Sequence, residues 1–207
     1  MKKNFIVVFA LVLCLNLPEL AFGQPEVGRK GLGVKIGVVD PQNLGATVGF
    51  GALVDLGRIS SKLNLTLDLD YWAKSQKSEV NLDFIGLPST NAFEASFSDL
   101  AIGGTLKYIF PTKTSKISPF AGGGFGLHIL RTKTKTSGFD IPGFEEPDFE
   151  FPASEQTHSN TKIGLRFAGG VSFKLGSRAD GFGEVRYWLV DDFNTAAVLA
   201  GIVFKLK

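Results

Sequence analysis

The twelve residues at the end of the sequence, AAVLAGIVFKLK, restrict the possible folds more than any other stretch. Every second residue is apolar, while glycine and lysine fall on the opposite face, so the stretch predicts a β-strand with one apolar side. The apolar row is Ala196, Val198, Ala200, Ile202, Phe204 and Leu206. An unpaired strand edge is a liability, and a barrel removes it by pairing the last strand with the first. We therefore expect a closed β-barrel.

Seven further segments repeat this two-residue period, and the third of them is the most regular. Its apolar row is Leu63, Leu65, Leu67, Leu69 and Tyr71, and its polar row is Asn64, Thr66, Asp68 and Asp70. A helix would spread these leucines around its circumference. In the fifth segment, the glycines within 122–126 prevent an assignment of residues to the apolar and polar faces. We expect a bulge or a close backbone contact there. The seven segments are residues 31–39, 46–56, 62–72, 97–110, 120–131, 162–175 and 182–190.

The face opposite each apolar row is small, polar or charged, which is the reverse of a soluble barrel. If the apolar rows face lipid, charges of both signs point inward, where they can pair with one another. The expected interior charge network is Lys35, Asp68, Asp70, Lys107, Arg166, Lys174, Glu184 and Arg186. Eight strands leave an interior that side chains fill, so an open pore is not expected. The predicted fold is all-β, an eight-stranded antiparallel up-and-down transmembrane barrel.

The amino terminus has the features of a secretory signal peptide. Two lysines precede an apolar run at 5–17, and the small-residue site Ala21-Phe22-Gly23 follows. An uncleaved anchor is the alternative, but the run is shorter than the roughly 20 residues of a spanning helix. Lipidation of Cys14 is disfavoured because bulky Leu13 precedes it. We expect a signal peptide at 1–23 and a barrel domain at 24–207, which contains no cysteine for a disulfide.

The predicted connections differ in length at the two ends of the barrel. Short turns at 57–61, 111–118 and 176–181 lie with the termini, and long external loops near 74–96 and 132–161 lie at the far end. We expect two aromatic girdles. One lies near the end that contains the termini and comprises Tyr108, Phe110, Phe120, Phe173 and Phe204; the other lies near the far end and comprises Tyr71 and Tyr187. The second loop carries phenylalanines among acidic residues, which predicts either a recognition surface or a disordered loop kept soluble by charge. They are Phe139, Phe144, Phe149 and Phe151.

Over residues 24–207 the chain resembles the small eight-stranded outer-membrane barrels of the OmpA and OmpX type. The most specific match is the carboxyl end, where Gly201, Phe204 and Leu206 resemble the signal read by the barrel-assembly machinery. The resemblance implies a Gram-negative-type outer membrane, export through the Sec pathway and assembly by that machinery. It transfers no activity, because this fold hosts structural proteins, adhesins and a few enzymes.

The chemistry-bearing residues of the sequence are few. His128 and His158 are the only histidines, and we expect both to be solvated or at the rim. Two histidines make a poor metal site, and no catalytic, cofactor or metal site is predicted. A net charge of +2 does not indicate a nucleic-acid binder. Asp68 and Asp70 could form an acid/base pair, but nearby lysine or arginine would satisfy them.

The favoured function is therefore a non-enzymatic outer-membrane barrel with a structural or surface-interaction role through its external loops. Its expected partners are outer-membrane lipid, the barrel-assembly machinery, and an external protein or lipopolysaccharide. One alternative is a barrel enzyme acting on lipid A or peptides, with His128 or His158 beside a nucleophile or carboxylate. Another is a secreted lipocalin-like barrel, which needs an apolar interior for its ligand.

Overall fold

The computed structural model describes residues 26–81, 90–112, 116–136, 154–191 and 193–206. These residues form eight antiparallel strands in a closed ring, in which each strand pairs with the next one along the chain. The strands are β1 Glu26–Pro41, β2 Thr47–Arg58, β3 Leu63–Asn81, β4 Thr90–Ile109, β5 Ile117–Thr136, β6 Ser154–Lys174, β7 Ala179–Val190 and β8 Thr195–Lys205. None of the described ranges contains a helix long and apolar enough to cross a membrane. We call the end at which β1 begins the inner end, and the end at which it finishes the outer end.

The ring closes between β8 and β1, as the sequence predicts. The register runs without interruption from Gly31 opposite Lys205 to Pro41 opposite Thr195. The Leu206 amide also donates a hydrogen bond of 2.8 Å to the Lys30 carbonyl, which continues the pairing beyond β8. The apolar row of the terminal strand therefore lies within a sheet that has no free edge.

The two faces of the wall are divided as expected, with apolar side chains outside and charges inside. Val34 and Ile36 are each 60% exposed, whereas Lys35 between them is 3% exposed. This alternation is repeated on the other strands and produces an outward apolar belt. Phe120 departs from the expected girdle, because the even-numbered positions of β5 face inward and bury its ring. Phe110, Phe173 and Phe204 are exposed on the belt.

The glycine run of β5 forms no bulge. The strand pairs with β6 in continuous register from Ile117 to Thr136, and with β4 through the same glycines. The expected close contact is present, since a Cβ at Gly124 would overlap the carbonyl oxygen of Gly104 on β4. Glycine therefore lets these two backbones approach without interrupting the ladder.

Both predicted long loops are shorter than expected. The strands β3 and β4 continue through most of 74–96 and leave 82–89 between them, while β5 and β6 leave 137–153. The outer parts of β5 and β6, residues 131–136 and 154–162, are polar at every position, so no apolar row indicates a strand there in the sequence. The four phenylalanines at 139–151 and the signal peptide lie outside the described residues.

Candidate functional site

The central part of the barrel is filled by ionised side chains from five strands. We call this set the charge cluster; it comprises Lys35, Asp68, Asp70, Lys107, Arg166, Glu184 and Arg186. Asp68 and Asp70 share a face because they are two residues apart on β3. Opposite charges come from β1, β4, β6 and β7. The contacts of the cluster therefore cross the interior and also link neighbouring strands.

Asp68 is the centre of this arrangement, and its side chain is completely buried. It accepts hydrogen bonds from the Lys35 ammonium, from Arg166 Nη2 at 2.8 Å and from Arg186 Nη2 at 3.3 Å. The Thr105 hydroxyl is 3.2 Å from Oδ2 of the same carboxylate. A buried charge is tolerated only when partners of this kind replace water.

Arg186 connects Asp68 to the other two carboxylates. Its Nη1 donates to Asp70 Oδ2 at 2.6 Å, and its Nε donates to Glu184 Oε1 at 2.7 Å. Glu184 also accepts a hydrogen bond of 2.9 Å from Lys107. A fixed guanidinium fork can serve three carboxylates in this way, whereas a single ammonium cannot reproduce its geometry.

Gly51 on β2 makes room for the pairing of Lys35 with Asp70. It lies in register with both residues, opposite Lys35 on one side and Asp70 on the other. A Cβ there would approach Lys35 Cε and Asp70 Oδ1 to 2.8 Å each. Because position 51 has no side chain, the Lys35 ammonium reaches Asp70 across β2 at 2.8 Å.

Aromatic rings line the cluster on two sides. The Arg166 guanidinium lies 4.6 Å from the Trp188 ring centre, and the Lys107 ammonium lies 4.6 Å from that of Phe120. Both contacts are cation–π interactions in a desolvated interior.

The predicted network member Lys174 is not in the cluster, because β6 has reached the inner end at this position and the Lys174 side chain is exposed.

A buried imidazole–carboxylate pair lies on the outer side of the cluster. His128 is fully buried, its Nδ1 is 2.8 Å from Asp99 Oδ2, and its ring packs edge-on against Trp188 at 4.5 Å. The expectation of a solvated or rim-level His128 is wrong, because the even positions of β5 face inward. His158 is exposed, as expected, but lies in β6 instead of a loop.

The Asp99–His128 pair lacks the other parts of a hydrolase site. His128 Nε2 has no hydrogen-bond partner among the described residues, so no hydroxyl is positioned as a nucleophile. The adjoining cavity, lined by Asp99, Arg186 and Trp188, is about 30 Å³, the space of about one water molecule. The described residues also include no group of three or more metal-ligating side chains.

An apolar plug fills the outer end of the barrel above the charge cluster. Its buried members are Val39, Trp72, Ala197 and Leu199, and Leu44, Phe97 and Phe193 pack against them. Trp72 stacks on Phe193 with 5.7 Å between ring centres. The apolar plug was not predicted from the sequence, although Trp72 follows Asp70 by two residues and so belongs to the inward face. Charge cluster and plug together leave the middle of the barrel filled, which argues against the lipocalin-like alternative.

Comparison with known proteins agrees with this architecture. Residues 7–205 match the family model of the outer membrane protein beta-barrel domain. The chain belongs to this family. It is therefore an outer-membrane β-barrel of the kind that the resemblance to the OmpA and OmpX type implied.

Solved structures of other barrels superpose on this outer-membrane barrel over most of its length. Neisserial surface protein A gives a TM-score of 0.55 at 19% identity, covering 87% of this chain and 99% of that one. The N-terminal β-barrel domain of Pseudomonas aeruginosa OprF gives 0.47 at 10% identity, covering 86% and 99%. Ail of Yersinia pestis, crystallised with the heparin analogue sucrose octasulfate, gives 0.43 at 13%, covering 86% and 99%. No curated protein matches the sequence.

Proposed function

We propose that this barrel is not an enzyme and that it acts through a sheet formed where strands β3 to β6 extend beyond the membrane. The main observation that supports this proposal is that β3 to β6 stay paired far past the last rows of the apolar belt. The register of β3 with β4 continues from Trp72 opposite Asp99 to Asn81 opposite Thr90. At about 3.3 Å per residue, nine residues add roughly 30 Å of strand. We call this part of β3 to β6 the outer sheet.

The outer sheet is held to the rest of the barrel by hydrogen bonds at its base. Lys74 donates to the Ala46 carbonyl at 3.0 Å, and Gln76 donates to the Leu44 carbonyl at 3.3 Å. The Ser75 and Ser96 hydroxyls are bonded at 2.8 Å across β3 and β4. These contacts give the outer sheet a defined surface. A barrel with only a structural role in the membrane would not need such a surface.

The outward face of the outer sheet carries a column of cations on β5. Arg131 lies one row beyond the belt row that contains Ile129, and Lys133 and Lys135 follow. The row of Lys135 also contains Lys77, Glu94 and Glu155, which balance its charge. Lys133 hydrogen-bonds Glu155 and holds the pKa of that carboxyl below its usual range. Because Glu155 is shared by Lys133 and Lys135, the three rows hold four described cations and two carboxylates. The excess positive charge lies toward the two rows nearest the apolar belt, those of Arg131 and Lys133.

The height of these two rows indicates a lipid partner. Arg131 is two residues past Ile129, about 7 Å along the strand, which is the depth of the polar layer next to the hydrocarbon. It is flanked in register by Ser98 and Ser159, which add hydroxyl donors beside the guanidinium. Arginine with neighbouring hydroxyls suits a phosphate group. The proposed ligand is the phosphorylated headgroup of lipopolysaccharide in the outer leaflet.

Replacing the two cations tests this role. In vesicles that contain lipid A, the barrel is expected to unfold at a higher urea concentration than in phosphatidylcholine vesicles. The variant R131Q/K133Q should lose most of that difference, because the exposed charges that meet the phosphates are gone. The measurement is the urea midpoint in both lipids, followed by tryptophan fluorescence.

The matched control is K116Q/K174Q, which removes the same charge at the inner end. It should keep the full lipid A effect. An equal response of the two double variants to lipid A would contradict a phosphate site on the outer sheet.

A further inference from the structure

The inner end of the barrel contains a cavity that the outer-sheet function does not use. It has a volume of about 320 Å³ and is lined by side chains of several strands and short turns. We propose that this cavity, the inner mouth, binds a small organic anion that carries an apolar or aromatic part, taken up from the periplasmic side. Its volume is within the usual range for small-molecule sites.

The floor of the inner mouth combines a cation with aromatic rings. The Lys107 ammonium lies 4.6 Å from the Phe120 ring centre and 5.6 Å from that of Phe182. Leu53 and Val203 add apolar wall. Phe120, Phe182 and Leu53 are otherwise buried, so a ring entering from the inner end would be removed from water on most sides.

The rim of the inner mouth has an excess of positive charge. The described residues of the rim include four lysine or arginine side chains and two aspartates: Arg58, Lys116, Lys174, Lys205, Asp55 and Asp180. Both aspartates are already engaged. Asp180 pairs with Lys205 at 2.9 Å, and Asp55 accepts a hydrogen bond of 2.9 Å from Asn64 and one of 2.8 Å from the Gly57 amide.

Lys116 and Lys174 form the anion-binding part of the rim. Their backbones are joined by a hydrogen bond of 3.1 Å from the Lys174 amide to the Lys116 carbonyl. Both side chains line the cavity from paired backbone positions, and like charges at paired positions cost stability. Asp180 is opposite Lys174 on β7, but its carboxylate is bonded to Lys205. A bound anion between the two ammonium groups would relieve this repulsion, while its apolar part would contact Phe120 and Phe182.

Three probes separate the parts of the proposed ligand. Phenyl phosphate carries both the anion and the ring, inorganic phosphate only the anion, and benzyl alcohol a ring without charge. Titrations of the refolded barrel in zwitterionic micelles are followed by NMR shifts of amides near Phe120 and Phe182. Phenyl phosphate should give saturable shifts and bind about tenfold more tightly than inorganic phosphate, because its ring is buried. Benzyl alcohol should give no saturable shifts there.

The variant K116Q/K174Q should bind phenyl phosphate about tenfold more weakly, since two exposed charge contacts are lost. Both side chains are exposed, so the heat-dependent gel mobility of the folded barrel should be unchanged. R131Q/K133Q, at the other end, should bind like the unmodified chain. Equal affinity of the two double variants, or shifts that increase without saturation, would overturn the proposal. This result is independent of the outer-sheet function, which the lipid A experiment tests separately.

Discussion

Replacing Asp68 with asparagine is expected to lower the free energy of unfolding of the barrel by about 3–5 kcal/mol. The substitution keeps the shape of the side chain but removes the fully buried one of the two carboxylates that Lys35, Arg166 and Arg186 share. Urea unfolding in phospholipid vesicles would measure it. The chain has two tryptophans, and both are buried inside the barrel, so their fluorescence reports unfolding directly.

The matched control for this substitution is Asp180→Asn at the inner mouth. Asp180 forms a single, partly exposed pair with Lys205, so its loss should cost less than about 1 kcal/mol. Combining D68N with Lys35→Met removes one of the stranded cations and should recover part of the loss. Equal effects of D68N and D180N would show that the charge cluster does not stabilise the barrel as a unit.

Gly51→Ala is expected to destabilise the barrel by about 1–3 kcal/mol through overpacking. The added methyl group would overlap the Leu69 carbonyl oxygen and push against Lys35 and Asp70, which pair across this position. Gly183→Ala is the control, because a Cβ there meets no atom within 4 Å. The comparison of urea midpoints isolates the space at position 51 from the general effect of removing a strand glycine.

A neutral or stabilising result for G51A would contradict the role given to Gly51. Measuring K35M and the double variant K35M/G51A extends the test. If the methyl group acts by separating Lys35 from Asp70, the cost of G51A should be smaller when Lys35 has already been replaced.

The division of the wall into two faces could be predicted from the sequence, because a β-strand repeats every two residues. Lys35 lies between Val34 and Ile36, and this alternation alone places its charge inside once the apolar rows face lipid. The same rule extended to Trp72 and Trp188, which stand two residues from Asp70 and Arg186. Both could have been assigned to the interior from the sequence.

The pairing of the interior charges could not be predicted in this way. Asp68 and Arg186 are 118 residues apart, and their contact depends on how strand stagger sets the heights of the two side chains. His128 lies beyond the glycines of β5, between two apolar residues, so the same alternation could have placed it inside. Its contact with Asp99 of β4 could not be predicted, because it depends on the register of the two strands.

The outer sheet also could not be predicted from apolar rows in the sequence. In water both faces of a strand can be polar, so Lys133, Thr134 and Lys135 read as a loop although they pair on both sides. The assembly signal at Gly201, Phe204 and Leu206 stays a prediction, as does recognition by the phenylalanines at 139–151.

Single-channel conductance of the barrel in a planar lipid bilayer tests whether the interior is filled, so that the protein acts only at its two ends. The charge cluster and the apolar plug predict no steady current above that of the bare bilayer. Reproducible current steps of uniform size from the unmodified barrel would contradict the account, because they would show a continuous aqueous path through the interior.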